Sequence, residues 1–163
     1  MGLEIERKFL VRGDAWRSLG KGTLYRQGFL STDRERVVRV RLAGDVATLT
    51  IKGPNQGLVR PEFEYVIPLE DARFMLDALC IRPLIEKIRH GVPAGDLLWE
   101  VDEFLGDNLG LILAEVELTT ADQVIDLPAW IGQEVSGDPR YFNSNLILNP
   151  YCRWQSGSAT ARG

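Results

Sequence analysis

A chain of 163 residues, 45% hydrophobic and 26% charged, has the length of one domain and enough apolar material to bury a core, which excludes a disordered polymer. Its formal net charge of −4 speaks against a general nucleic-acid binder, which is usually basic, although for a phosphate ligand the local sorting of charge matters more than the sum. Two cysteines, Cys80 and Cys152, are too few for a disulfide scaffold and suit a reducing cytoplasm. No run approaches the roughly 18 apolar residues of a membrane span, no hydrophobic leader opens the chain, and Glu6 stands where a myristoylation motif needs Ser or Thr.

Strands are expected over residues 2–11, 24–31, 36–43, 46–52, 60–68, 82–92, 96–105 and 111–118, each reading as an alternation of charged and apolar side chains. Turns are marked by Ala43-Gly44-Asp45 and Pro93-Ala94-Gly95-Asp96, and Gly53-Pro54-Asn55-Gln56-Gly57 reads as a longer loop at the mouth of the sheet. Leu69, Ala72, Leu76 and Leu79 have helical spacing over residues 69–79. Thr119 to Asp122 has the form of a capping box, which predicts a helix near 120–131. A last short helix is expected around Asn143 to Leu148. Residues 1–154 are thus one domain, and 155–163, after Trp154, have nothing to bury and are expected to be a disordered tail.

The charges along these strands are sorted. Glu4, Glu6 and Lys8 share one face, with Leu3, Ile5 and Phe9 on the other. Arg39 and Arg41 form a cationic doublet, and Thr50 with Lys52 share a face. Glu62 and Glu64 follow, then Lys87 and Arg89, Glu100 and Asp102, and Glu115 and Glu117. A solvated sheet face mixes signs, because like charges opposite one another destabilise it. Carboxylate pairs beside cationic pairs make sense where the faces converge on a polyanion and metal ions. A closed barrel would collect them in a polar lumen; an open sheet would leave them in water. Other chemistries are missing. There is no GxxxxGK[ST] loop and no HExxH, and the single histidine, His90, faces away from Lys87 and Arg89, which disfavours a serine or cysteine triad.

Glu4-Ile5-Glu6-Arg7-Lys8 resembles the ExExK motif of the CYTH superfamily, the triphosphate tunnel metalloenzymes. The resemblance continues in order through Arg39-Val40-Arg41, Thr50-Ile51-Lys52, Glu62-Phe63-Glu64, Glu86-Lys87-Ile88-Arg89, Glu100-Val101-Asp102, Glu115-Val116-Glu117 and Asp138-Pro139-Arg140-Tyr141-Phe142-Asn143. It implies an α+β fold built on an eight-stranded antiparallel β-barrel, a tunnel with a charged lumen and a few flanking helices. It also implies action on triphosphates with Mg²⁺ or Mn²⁺ as cofactor.

Within that frame, Glu4, Glu6 and Glu117 are the candidate ligands of a first hard cation, and Asp102 and Glu115 complete a second site shared with Glu117. Lys8, Arg39, Arg41, Lys52, Lys87 and Arg89 are the candidate phosphate-binding cations, and Lys8 is the candidate catalytic residue, orienting or deprotonating the attacking water. Glu62, Glu64 and Glu100 either reach metal through water or pair with the lysines and arginines, the second being favoured. Arg26 is a possible further cation at one mouth, and Tyr141 is expected to help a C-terminal segment plug or line the tunnel. The activities implied are inorganic triphosphatase, thiamine triphosphatase or class IV adenylate cyclase. The absence of an aromatic from residues 53–57 favours a substrate without a base, hence inorganic tripolyphosphate cleaved to pyrophosphate and phosphate. A non-catalytic polyphosphate binder is the alternative from another class, and the full set of carboxylates speaks against it. Apolar faces turned outward from a barrel, at Val38, Val40, Leu49, Ile51, Phe63, Tyr65, Val116 and Leu118, point to a homodimer. Neither a nucleic-acid nor a membrane partner is expected.

Overall fold

The computed structural model describes residues 2–154; the expected tail, 155–163, lies outside the described residues. Strands run β1 Leu3–Val11, β2 Gly22–Asp33, β3 Arg36–Ala43, β4 Val46–Lys52, β5 Val59–Ile67, β6 Ile81–Ala94, β7 Leu97–Phe104, β8 Ile112–Glu117 and β9 Ile131–Glu134. Helix α1, Leu69–Phe74, continues through a wider π-type turn over Met75–Leu79, and α2 spans Asn143–Leu146. All pairings are antiparallel, in the order β5-β4-β3-β2-β6-β7-β8-β1-β9. One edge of β1 pairs with β8; the other is divided between β5, through Leu3–Ile5, and β9. The β1–β5 pairing closes an eight-stranded barrel, with β9 as an added strand.

Two elements differ from the sequence reading. The helix expected near 120–131 does not form. The backbone N–H and the hydroxyl of Thr119 both donate to the Gln123 side chain (2.7 and 2.9 Å), a local turn that competes with helical bonding, and Pro128 then bars a helix interior. The same stretch instead delivers β9, whose four residues, Ile-Gly-Gln-Glu, carry too little alternation to be read in advance. Strand β6 also runs further than expected, through Pro93 to Ala94. The tight turn is left to Gly95 and Asp96, with Gly95 in the left-handed conformation (φ 61°) that two-residue hairpins require, as at Gly44.

Closure fixes what lies inside. Register sets Glu6 opposite Glu117, Lys8 opposite Glu115, Arg39 opposite Thr50, Lys52 opposite Glu62 and Arg89 opposite Asp102. These side chains face inward, so the apolar faces turn outward and must be covered. Residues 119–131 and Trp16 lie over β1, β7 and β8, burying Phe9, Trp99, Val116 and Leu118 with Trp130 and Ile131. Helix α1 covers β3 and β4 through Ala72 and Leu76 against Val40 and Ala47. The interior itself is divided. Phe29, Val37, Ile85, Phe104 and Leu113 make one half apolar, and the C-terminal residues Val135, Tyr141, Leu146 and Ile147 pack into it. That packing plugs one end and leaves the charged half as the cavity. No helix among the described residues is long and apolar enough to cross a membrane.

Trp99 is fully buried between Phe9 and Trp130, with edge-to-face ring contacts of 5.5 and 5.9 Å. Trp99→Ala is therefore expected to lower the unfolding free energy by about 3–5 kcal/mol in a urea titration monitored by circular dichroism. A loss near zero would mean that residues 119–131 do not form a fixed cover.

Candidate active site

The cavity is lined by Glu4, Glu6, Arg39, Arg41, Lys52, Lys87, Arg89 and Glu115 from five strands, by Asn55, Gly57, Leu58 and Arg60 on one side, and by Ser136, Phe142, Asn143 and Ser144 of the C-terminal segment. The alternation of each strand puts these groups there, and most of them already hold one another. Lys52 Nζ lies between Glu4 (2.8 Å) and Glu62 (3.3 Å). Arg89 grips Asp102 as a two-pronged fork (2.7 and 2.8 Å) and reaches Glu100 at 2.9 Å. Lys87 meets Asp102 at 2.7 Å, and both are wholly enclosed. Lys8 Nζ donates to the Tyr141 carbonyl (3.1 Å), stands 3.6 Å from Glu115 and lies over the Phe142 ring. Arg39 donates to Thr50 (3.1 Å) and is 3.7 Å from Glu64.

Two cations are not fully matched. The buried Nε of Arg39 has no hydrogen-bond partner, and burial with the neighbouring Arg89 lowers its pKa. Arg41 has no carboxylate partner among the described residues. Its Nε donates to Gln27 (3.1 Å) and its plane lies 5.0 Å from the Tyr25 ring. Burial, together with Arg39 and Arg89, brings its pKa down to about 9. Lys87 is brought down to about 7, first by burial and then by Arg89 and Arg41, against the pull of Asp102. These cations crowd each other in a place poor in water, where a polyanion would relieve them.

The carboxylates are crowded in the same way. Burial and the nearby Glu115 and Glu4 push Glu6 well above the ordinary carboxylate range. Burial and a hydrogen bond with Glu4 raise Glu62 to about 7. Glu117, at the rim, is raised by burial, Glu4 and Glu100. Burial would also raise Glu4 and Glu115, yet Glu62 and Lys52 draw the first below its usual value, and Lys8, Arg89 and Lys87 the second. Among the described residues no three acidic, His or Cys side chains converge as a ready-made metal cage; Glu4, Glu62, Glu100, Asp102 and Glu115 are each drawn to a cation. The donor set nevertheless fits a hard divalent cation. It is all oxygen, and burial and crowding raise Glu6 and Glu62, a load that such a cation would relieve.

Other expected site residues are tied to partners within the protein. Asp102 is no open ligand: Lys87 and Arg89 surround it and hold its pKa down against the effect of burial. Arg26 lies outside the barrel, beside Asp77 of the π-type turn (3.1 Å) and Glu86 (3.9 Å), because Gln27 takes the inward position on β2. The Tyr141 ring packs on Trp154, and only its carbonyl serves the cavity. Glu64 and Glu100 stand beside arginines. The sequence reading missed Arg60, Gln27 and the part played by Asn143. Arg60 shares the parity of Glu62 and Glu64, a signal available in the sequence; Gln27 was obscured by the irregularity between Gln27 and Phe29 that shifts the register of β2. His90 packs on Trp16 on the exterior.

A raised carboxylate opposes folding at neutral pH. Its protonated form is favoured by the fold below the unfolded pKa, and that advantage is lost as pH rises through the folded value. Glu6→Gln should therefore raise the melting temperature of the metal-free protein at pH 8, at roughly 2–4 °C per kcal/mol for a chain of this size. The gain should vanish at pH 4.5. Equal melting curves at pH 8 would mean that Glu6 carries no such load.

The CYTH domain model matches residues 2–146. A protein of Acetivibrio thermocellus named inorganic triphosphatase is 53% identical over 151 residues, covering 93% of this chain and 97% of its own. One of the same name from Nitrosomonas europaea is 36% identical over 155 residues, covering 90% and 97%. Among solved structures, an inorganic triphosphatase superposes with a TM-score of 0.61 at 33% identity, over 89% of this chain and 97% of that one. A Hippeastrum protein, described as a putative adenylyl cyclase with a dominant triphosphatase activity, shares the fold at 16% identity and a TM-score of 0.54, over 72% and 80%. This chain belongs to the CYTH family.

Proposed function

We propose that this protein, with residues 1–154 as a single catalytic domain, hydrolyses inorganic tripolyphosphate to pyrophosphate and phosphate in the cytoplasm, using Mg²⁺ or Mn²⁺. The observation that carries the reading is the pair Arg39 and Arg41. The first has an unpartnered buried N–H and the second has no carboxylate partner among the described residues, although acidic side chains are abundant around them. Both relatives named above carry the name inorganic triphosphatase. Residues 53–58 supply no aromatic side chain to hold a base, which favours the inorganic substrate over a nucleotide or thiamine ester.

Phosphoryl transfer depends on positioning and charge stabilisation more than on covalent chemistry. Arg39, Arg41, Lys52, Lys87, Arg89 and Arg60 would bind the phosphates, with the arginines as forks. Glu4, Glu6, Glu115 and Glu117 would hold the divalent ion, and Asp102 acts as the counter-ion that fixes Lys87 and Arg89. Bound there, the ion polarises phosphoryl oxygens and offsets the charge that builds up on them. Lys8, aligned by the Tyr141 carbonyl, orients the attacking water toward the terminal phosphorus. The new P–O bond forms as the bridging P–O bond breaks; pyrophosphate leaves as the anion, orthophosphate keeps one proton of the attacking water, and the other passes to solvent.

Phosphate release from tripolyphosphate, ATP and thiamine triphosphate, each with Mg²⁺, Mn²⁺ or EDTA, tests the assignment. Tripolyphosphate turnover should exceed that of ATP by a wide margin and stop with EDTA. Equal turnover of ATP, or activity that survives EDTA, would overturn it. Lys8→Met should lower kcat by about 10²-fold or more while affinity for tripolyphosphate with Ca²⁺, measured by calorimetry, stays within a few-fold. Affinity lost in proportion to rate would reduce Lys8 to an anchor.

The outer face of β4 and β5, with the start of β1, remains uncovered: Leu3 is 64% exposed, Tyr65 57%, Phe63 40% and Ile51 39%. A second copy placed on this face would bury it, so the protein should be a homodimer. Light scattering that reports a monomer at high micromolar concentration would contradict the assignment.

A further inference from the structure

Two neutral amides lie among the charges: Asn143 lines the cavity, and Gln27 stands behind it, beside Arg41. Gln27 of β2 is fully buried, and Asn143 opens α2 in the C-terminal segment. Arg41 and Lys87 can only donate hydrogen bonds, so they fix the direction of everything between them. Arg41 Nε donates to the Gln27 carbonyl oxygen (3.1 Å). The Gln27 amide nitrogen donates to the Asn143 oxygen (2.9 Å), and Lys87 Nζ donates to that same oxygen (2.9 Å). The other orientation of either amide would set donor against donor.

Lys87 has a counter-ion in Asp102, but Arg41 has none among the described residues. An acid at position 27 would reach Arg41 as easily as the amide does and would form a buried ion pair. The amide holds the guanidinium in place without cancelling its charge.

Resting on the triphosphatase reading, we propose that Gln27 and Asn143 are positioning residues. Gln27 orients Arg41 and keeps its charge available to the triphosphate, and Asn143 ties that pair to Lys87 and to the C-terminal plug. The two amides act as one unit, and their nature as amides sets the affinity for the polyanion.

Tripolyphosphate hydrolysis with Mg²⁺, calorimetric binding of tripolyphosphate and thermal melting, measured on Gln27→Glu, Gln27→Ala, Asn143→Ala and the double alanine variant, test this. Gln27→Glu should raise KM and Kd about tenfold or more, because the new carboxylate neutralises Arg41. Its kcat should change less, and its melting temperature is measured beside it, since the new carboxylate gains Arg41 but has no proton to donate to the Asn143 oxygen. Each alanine variant should lose kcat/KM, and the double variant should lose no more than the worse single one. Wild-type KM and Kd in Gln27→Glu, or losses that multiply in the double variant, would overturn the proposal. Should Gln27→Glu melt well below the wild type, Asn143→Ala decides: raised KM with an intact fold supports the unit, and unchanged KM overturns it. A wild-type protein that neither binds nor cleaves tripolyphosphate would overturn the functional reading itself, an outcome distinct from insensitivity of the variants.

Discussion

Closing an amphipathic sheet on its charged face confines like charges in a space that water barely reaches. Everything else in this molecule follows from that confinement. In an open sheet the Glu6–Glu117 and Glu100–Glu115 neighbours would be a mild liability, screened by solvent. Inside the barrel, burial and acidic neighbours push Glu6 above the ordinary carboxylate range, and burial with neighbouring cations brings the pKa of Lys87 and Arg41 down. The apolar faces, displaced outward, then need separate covers, which α1, Trp16 and residues 119–131 provide.

The fold copes with the confined charge in two ways. Where stability is at stake it pairs the charges closely: Asp102 satisfies both Lys87 and Arg89, and Lys52 spans Glu4 and Glu62. Such pairs offset much of the cost of removing ions from water, while breaking one would leave an uncompensated buried charge. Elsewhere in the lumen the fold leaves charge unmatched. Arg41 meets an amide and an aromatic ring instead of an acid, and Glu6 lies among other carboxylates. The unmatched cations suit a polyanion, and the crowded acids suit a divalent ion.

Much of this was legible in the sequence, because inward-facing positions follow strict alternation. Eight strands, the barrel and the family were readable from the sorted doublets. What alternation does not encode was not. Residues 119–131 were misread because a side chain-to-backbone turn at Thr119 and Gln123 imitates the start of a helix. Arg26 was expected at one mouth of the tunnel, but the partners that hold it on the outer face come from the π-type turn and β6, distant in sequence. Asp102 reads like any other acid in the series; only the packing of Lys87 and Arg89 around it makes it a counter-ion. Gln27 and Asn143 carry no charge and so gave no signal in a reading built on charge.

Two sets of like charges crowd each other inside the barrel, and each should be relieved by its own ligand. Thermal melting of the wild-type protein with Mg²⁺ alone, with tripolyphosphate alone and with orthophosphate alone addresses this most directly, since ligands that bind only the folded state raise the melting temperature. Mg²⁺ and tripolyphosphate should each stabilise the protein without the other, and tripolyphosphate should do so far more than orthophosphate at equal concentration. Unchanged melting with either ligand alone would show that the lumen is not under such strain and would contradict the account.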